Sequence, residues 1–170
     1  MNHTESLLNA DMMQPIEPEL VQRILSAKPF YQIDGGFNTR DLSDHPYTTL
    51  KAGYAFRSGS LERLTVRGQR DLMDLGVKTV FDLRSPAEVA AFPDPNIEGI
   101  NIIVASTETN YRHKDAVDEG FDDLAVMYLN MLQTYRAGYQ KILKHIRDCP
   151  DRSFLLHCTG MVELTTFSPS

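Results

Sequence analysis

Hydrophobic positions along this chain change period several times, and each change marks an element. From Glu17 to Ala27, Leu20, Val21, Ile24 and Leu25 fall on one face and Pro18 suits a first turn, which predicts a short amphipathic helix. Phe30–Ile33, Phe37–Leu42 and Gly53–Arg57 read as three short extended pieces, separated by Asp34-Gly35-Gly36 and closed by Ser58-Gly59. They are expected to pair as a small antiparallel edge. The pattern then alternates helix and strand. Thr65 caps a helix bearing Val66, Leu72, Met73 and Leu75, and Gly76 ends it. Val77–Leu83 is a strand. Ser85-Pro86-Ala87-Glu88 opens a helix as N-cap, first-turn proline and capping-box acid, and Pro93 and Pro95 close it. Gly99–Ala105 is a further strand.

Ser106–Gly120 is polar and reads as a loop. Phe121, Leu124, Tyr128, Met131, Leu132, Tyr135, Tyr139, Ile142, Leu143 and Ile146 follow helical spacing, with Gly138 expected to split them into two helices. Pro150 stops the run, and Ser153–His157 is the last strand. Strand, crossover helix and strand in alternation predict an α/β fold with a mostly parallel central sheet flanked by helices. Residues 1–16 lack periodicity and are expected to be flexible, 17–160 form one domain, and 161–170 are read as a tail.

Composition narrows the class without changing it. The 170 residues are 42% hydrophobic and 24% charged, ordinary values for a soluble globular domain. A net charge of −6 argues against a nucleic-acid partner, which would want a basic stripe. No apolar window is long enough for a membrane span, and the N-terminus has no secretory pattern. With Cys149 and Cys158 as the two cysteines, reduced thiols and a cytoplasmic location are the default expectation.

The candidate chemistry lies in Ser153–Gly160. Its apolar run delivers His157-Cys158-Thr159-Gly160 to the carboxyl end of a strand, where open α/β sheets bind their ligands. A helix start behind such a loop would lower a thiol pKa and cradle a phosphate. Cys158 is therefore either a nucleophile or a buried inert thiol. His157 could orient the loop.

Four segments settle the comparison further. Phe37-Asn38-Thr39-Arg40-Asp41-Leu42, Phe56-Arg57-Ser58-Gly59-Ser60-Leu61, Leu75–Val89 with its Asp82-Leu83-Arg84-Ser85-x-x-Glu88 core, and Leu155-Leu156-His157-Cys158-Thr159 occur in this order. With them the chain resembles the atypical cysteine-dependent tyrosine phosphatase-like family of fungi and bacteria. The resemblance implies hydrolysis of phosphate monoesters through a phosphocysteine on Cys158, with no metal and no cofactor. A loop arginine clamps the phosphoryl oxygens and an aspartate protonates the leaving oxygen. On this basis Cys158, His157 and Asp82 are the candidate catalytic residues, and Arg84, Arg57, Arg40, Thr159 and Gly160 the candidate phosphate-binding ones. The implied substrates are a phosphorylated protein, a phosphoinositide or a small phosphate ester. Bland readings stand beside these: Arg84 and Asp82 as a structural ion pair, Asp41 as a turn cap, Arg57 as a solvated edge residue.

The chain departs from the family after Thr159. The family loop places arginine six positions after the cysteine, where this chain has Leu164, and no arginine follows Arg152. Glu163 stands at the loop aspartate position. The helices that follow the loop in the family are expected to be missing, and residues 160–170 are read as translated intron, a frameshift product or a shortened isoform. The expectation is an inactive chain. A phosphate-binding pseudophosphatase, a sulfurtransferase and a metal site built from His145, Cys149, His157 and Cys158 are the alternatives.

Overall fold

A computed structural model of the chain describes residues 16–43, 47–106, 129 and 132–159. The elements are helix α1 (Pro18–Leu25), strands β1 (Arg40–Asp41) and β2 (Ala55–Ser58), helix α2 (Val66–Asp74), strand β3 (Thr79–Asp82), helix α3 (Pro86–Ala91), strand β4 (Asn101–Val104), helix α4 (Arg136–Asp148) and strand β5 (Phe154–His157). The five strands form one sheet in the order β1-β2-β5-β3-β4. β1 runs antiparallel to β2, and every other neighbour pair is parallel. This is the α/β, mostly parallel sheet that the alternating pattern predicts.

The order places β5 between β2 and β3. The strand that carries the candidate cysteine is thus hydrogen-bonded on both sides, with Leu155 opposite Phe56 on one flank and Val80 on the other. The expected small antiparallel edge is present, as the Phe30–Arg40 bridge and the β1–β2 pair, and the sheet extends it by pairing β2 with β5 on its other side. Of its three pieces, Phe30 makes only an isolated bridge to Arg40, 37–42 reduces to the two-residue β1, and β2 joins the parallel core. The physical reason is the partner: β2's buried Ala55 and Phe56 fit beside an apolar strand, which a solvated hairpin cannot offer.

Alternation along the strands divides the core into two layers. On one face Phe56, Leu155 and Val80 pack with Leu72 of α2, Ile33, Leu61, Ile97 and Ile100. On the other, Ala55, Phe154 and Phe81 pack with Ile142 of α4, and Tyr139 and Ile146 flank them. The Phe154 ring makes edge contacts with Tyr54 at 5.4 Å, His145 at 5.4 Å and Phe81 at 5.8 Å. Burying each such ring stabilises the fold by roughly 1.5–3 kcal/mol.

Local chemistry sets the helix ends. The Thr65 side chain accepts from the Gly68 N–H, and Ser85 and Glu88 complete a capping box. Gly76, with φ of 80°, turns the chain out of α2 into β3. The helical run is divided as expected, but at Tyr135 and not at Gly138: residues 132–134 are helical, Tyr135 is a turn, and α4 runs through Gly138 unbroken. A side chain there would come within 2.0 Å of the Ala105 carbonyl oxygen, so the glycine lets the helix lie against the end of β4. The predicted helical residues Phe121, Leu124, Tyr128 and Met131, the loop from 107 onward, and residues 1–15 and 160–170 lie outside the described residues.

Candidate active site

The site grows from the carboxyl ends of β2, β5 and β3. Ser58, His157 and Asp82 stand in one cross-strand row. Two residues beyond Leu155 and Val80, they share the α2-side face with the apolar core. His157 and Asp82 are each 1% exposed. Two buried polar side chains in an apolar layer require partners, and Arg84 and Asp94 supply them.

Arg84 folds back onto the end of its own strand. Its Nε donates to Asp82 Oδ1 at 2.9 Å, and its Nη2 lies 2.8 Å from Asp82 Oδ2 and 2.8 Å from Asp94 Oδ1. Nη1 donates to the Phe92 carbonyl at 2.7 Å and reaches Ser60 Oγ at 3.4 Å. The guanidinium side chain is 1% exposed. Burial by itself would lower its pKa, but the hydrogen bond to Asp82 and the charges of Asp94 and Asp82 outweigh that and raise it. His157 completes the group: Nε2 lies 2.7 Å from Asp94 Oδ2 and 3.7 Å from Asp82 Oδ1. An ionised carboxylate only accepts, so Nε2 carries the proton. His157 Nδ1 is buried with no hydrogen-bond partner among the described residues.

Thr159 is tied down on the same side. Its hydroxyl donates to Glu88 Oε1, while Glu88 Oε2 accepts from the Ser85 N–H at 2.9 Å and the Ser85 hydroxyl at 2.7 Å. These bonds, from Thr159 first and then Ser85, hold the Glu88 carboxyl below its ordinary pKa against a smaller opposing effect of burial.

Cys158 lies between these two anchored residues and is exposed. It lines a cavity of about 250 Å³ with Leu83, Ala105, Tyr135, Gly138 and Tyr139, on the α4 side of the sheet. Arg57, opposite Leu156 in the sheet, is exposed and belongs to that face as well. Arg40 stands directly across from Arg57 on β1. Burial first, and the Arg57 charge second, lower the Arg40 pKa. Arg40 Nη1 donates to Asn38 Oδ1 at 3.0 Å, and its guanidinium sits 6.0 Å over the Phe30 ring.

The structure therefore sorts the sequence-derived residues into two groups. His157, Asp82, Arg84 and Thr159 converge on one buried polar network on the α2 side. Cys158, Arg57 and Arg40 belong to the other side, and Gly160 lies outside the described residues. The hydrogen-bonding faces of Arg84 are taken up by protein acceptors, which is the structural ion pair with Asp82 and leaves no open fork for a phosphate. Asp41 caps the turn, accepting from the N–H groups of Ser43 and Gly53 at 2.8 Å each. Three residues were missed. Glu88 carries a sequence signal, but one read as a helix cap. Ser60 falls within the Phe56–Leu61 segment without a role of its own there, and Asp94, between two prolines, carries none.

Metal donors do not assemble as the His145, Cys149, His157 and Cys158 alternative requires. His145 packs edge-on to Phe81 and Phe154 on the α4 side and places Nε2 2.9 Å from the Arg152 carbonyl, whereas His157 faces the other way. Asp82, Asp94 and His157 do bring ligand atoms within 4.8 Å of one another. Arg84 Nη2, 2.8 Å from both carboxylates, already stands where a cation would pair with that set, so it fits a guanidinium rather than a metal ion.

A mostly parallel sheet with helices around it, presenting a free, exposed cysteine just beyond the carboxyl end of a central strand, makes this an α/β protein with its candidate site at the strand ends. The model of the tyrosine phosphatase family matches residues 31–160, and the chain belongs to that family. It is also 44% identical over 59 residues to the triple specificity protein phosphatase PtpB of Mycobacterium tuberculosis. That match takes in 35% of this chain and 21% of the length of the relative. Among the described residues no helix is long and apolar enough to cross a membrane.

Proposed function

We propose that the chain presents the nucleophile of a phosphate-monoester hydrolase and that, in these 170 residues, the site does not turn over. The carrying observation is the exposure of Cys158 between two residues whose side chains are held inward, His157 by Asp94 and Thr159 by Glu88. In the proposed chemistry the Cys158 thiolate attacks phosphorus, the bond to the leaving oxygen breaks, and water then cleaves the phosphocysteine. Its substrates are phosphorylated protein, a phosphoinositide or a small phosphate ester. Asp82 and Arg84, buried and paired with each other, support the mouth rather than touch substrate. The transition state also needs a cation on the equatorial oxygens, and Leu164 occupies the position where the family loop carries arginine. A cytoplasmic setting keeps the two free thiols reduced. The test is steady-state hydrolysis of an aryl phosphate by the chain and by Cys158→Ser. Equal rates are expected, and a rate that disappears with the thiol overturns the inactivity.

One observation favours a second reading, binding without turnover. Arg40 and Arg57 face each other directly across β1 and β2, an arrangement that costs stability unless an anion sits between the charges. Phosphate binding that is lost in Arg57→Ala would support a phosphate-holding pseudophosphatase. Binding that is unchanged in that variant would dismiss it.

A further inference from the structure

We infer that Glu88 is a positioning residue for Cys158, acting through Thr159. This deepens the reading of Cys158 as a nucleophile and rests on it. Glu88 sits at the third position of α3, where a glutamate ordinarily serves only the helix end. Here its two oxygens divide the work. Oε2 is engaged by Ser85 through both the backbone N–H and the hydroxyl, which fixes the carboxylate in place. Oε1 is thereby aimed outward and takes the hydroxyl of Thr159, 71 positions further along the chain.

The consequence for the loop follows from alternation. His157 is held from the same side by Asp94 at 2.7 Å. With the residues before and after it anchored toward the α2 side, Cys158 is left facing the α4-side cavity. Asp94 lies just beyond α3, so both grips come from the segment between β3 and β4, a segment with no reacting group of its own. A bond from a hydroxyl to a charged acceptor is stronger than one between neutral groups. Thr159 also spends its proton on Glu88, so its hydroxyl has no proton left to donate to a phosphoryl oxygen.

The experiment reads Cys158 alkylation by iodoacetamide at fixed pH in a Cys149→Ser background, alongside the urea midpoint of each variant. Thr159→Val and Glu88→Ala are expected to change the Cys158 rate by the same factor, about fivefold, since each removes the same bond. The double variant is expected to add nothing to either single change. Thr159→Ser restores the rate to within about twofold, because it restores the hydroxyl. Glu88→Gln, nearly isosteric, keeps a bond to Thr159 with the donor reversed and is expected to stay within about twofold of the parent rate; if Glu88→Ala does not fold, Thr159→Val against Thr159→Ser and Glu88→Gln still decides. Unchanged rates in the single variants, or effects that multiply in the double variant, overturn the inference. Failure of the nucleophile reading looks different: the coupling between Glu88 and Thr159 persists, while Cys158 of the parent chain alkylates no faster than free cysteine at the same pH.

Discussion

Replacing Arg84 by methionine probes the buried network at its centre. Methionine keeps much of the length and removes the charge. The side chains of Arg84, Asp82 and Asp94 are 1%, 2% and 4% exposed, so solvent does little to screen what remains. Three ionic contacts at 2.8–2.9 Å and the bond to the Phe92 carbonyl vanish together. Asp82 keeps the Arg84 backbone N–H at 2.9 Å, and Asp94 keeps His157, so the two carboxylates stay in place without their cation. Breaking a buried pair from one side costs about 3–5 kcal/mol, chiefly through the charge left behind. That is a large share of the roughly 5–15 kcal/mol that holds a domain folded. With a urea slope of about 2 kcal/mol per molar, the midpoint falls by about 1.5–2.5 M. Arg84→Lys keeps a charge and loses the fork, and should fall less. Urea unfolding followed by circular dichroism measures both. An Arg84→Met midpoint within about 0.3 M of the parent would refute the claim that this arginine holds the two carboxylates of the network.

Three further outcomes follow from the same geometry. Gly138→Ala pushes a methyl to 2.0 Å from the Ala105 carbonyl, and thermal melting should show a loss of about 1–3 kcal/mol as α4 is forced off β4. The Glu88 carboxyl has a folded-state pKa below its unfolded value, so its contribution is complete above about pH 4.5 and is lost as pH falls through the lowered value; Glu88→Gln should flatten that acid limb in urea midpoints taken from pH 6 to 3, and an identical limb in the variant would show that the carboxylate is not coupled to folding. Phe81→Ala, at a fully buried position in the α4-side layer, should cost about 3–5 kcal/mol, read from the same urea curves.

Much of the fold was legible because its signals are local. Thr65, Ser85 and Glu88 announce helix starts through their own side chains, and β3, β4 and β5 announce themselves as compact apolar runs. The antiparallel pairing of β2 with β1 was legible, and its parallel pairing with β5 was not. That second partner is a strand a hundred residues later, and nothing local in Ala55–Ser58 announces it. Gly138 misled for a related reason: a glycine that breaks a helix and one that lets a helix approach a carbonyl look alike until the neighbour, Ala105, is in place. At the site, His157-Cys158 was legible from the strand end, and the Asp82–Arg84 ion pair was one of two readings on offer. Asp94 was not legible, since an aspartate between prolines reads as a loop residue. Glu88 shows how one residue can satisfy a local rule and a distant contact together, with the local rule hiding the other.

The central proposal is that the fold delivers Cys158 as a nucleophile, and that Leu164, standing where the family loop carries arginine, leaves the reaction incomplete. The most direct measurement is a single-turnover reaction of excess protein with an aryl phosphate, following release of the aryl alcohol and, by intact mass, phosphoryl transfer to the chain. The account predicts no burst and no phosphoryl adduct, with the chain and Cys158→Ser indistinguishable. A burst with an adduct on the chain, both absent in Cys158→Ser, would contradict it.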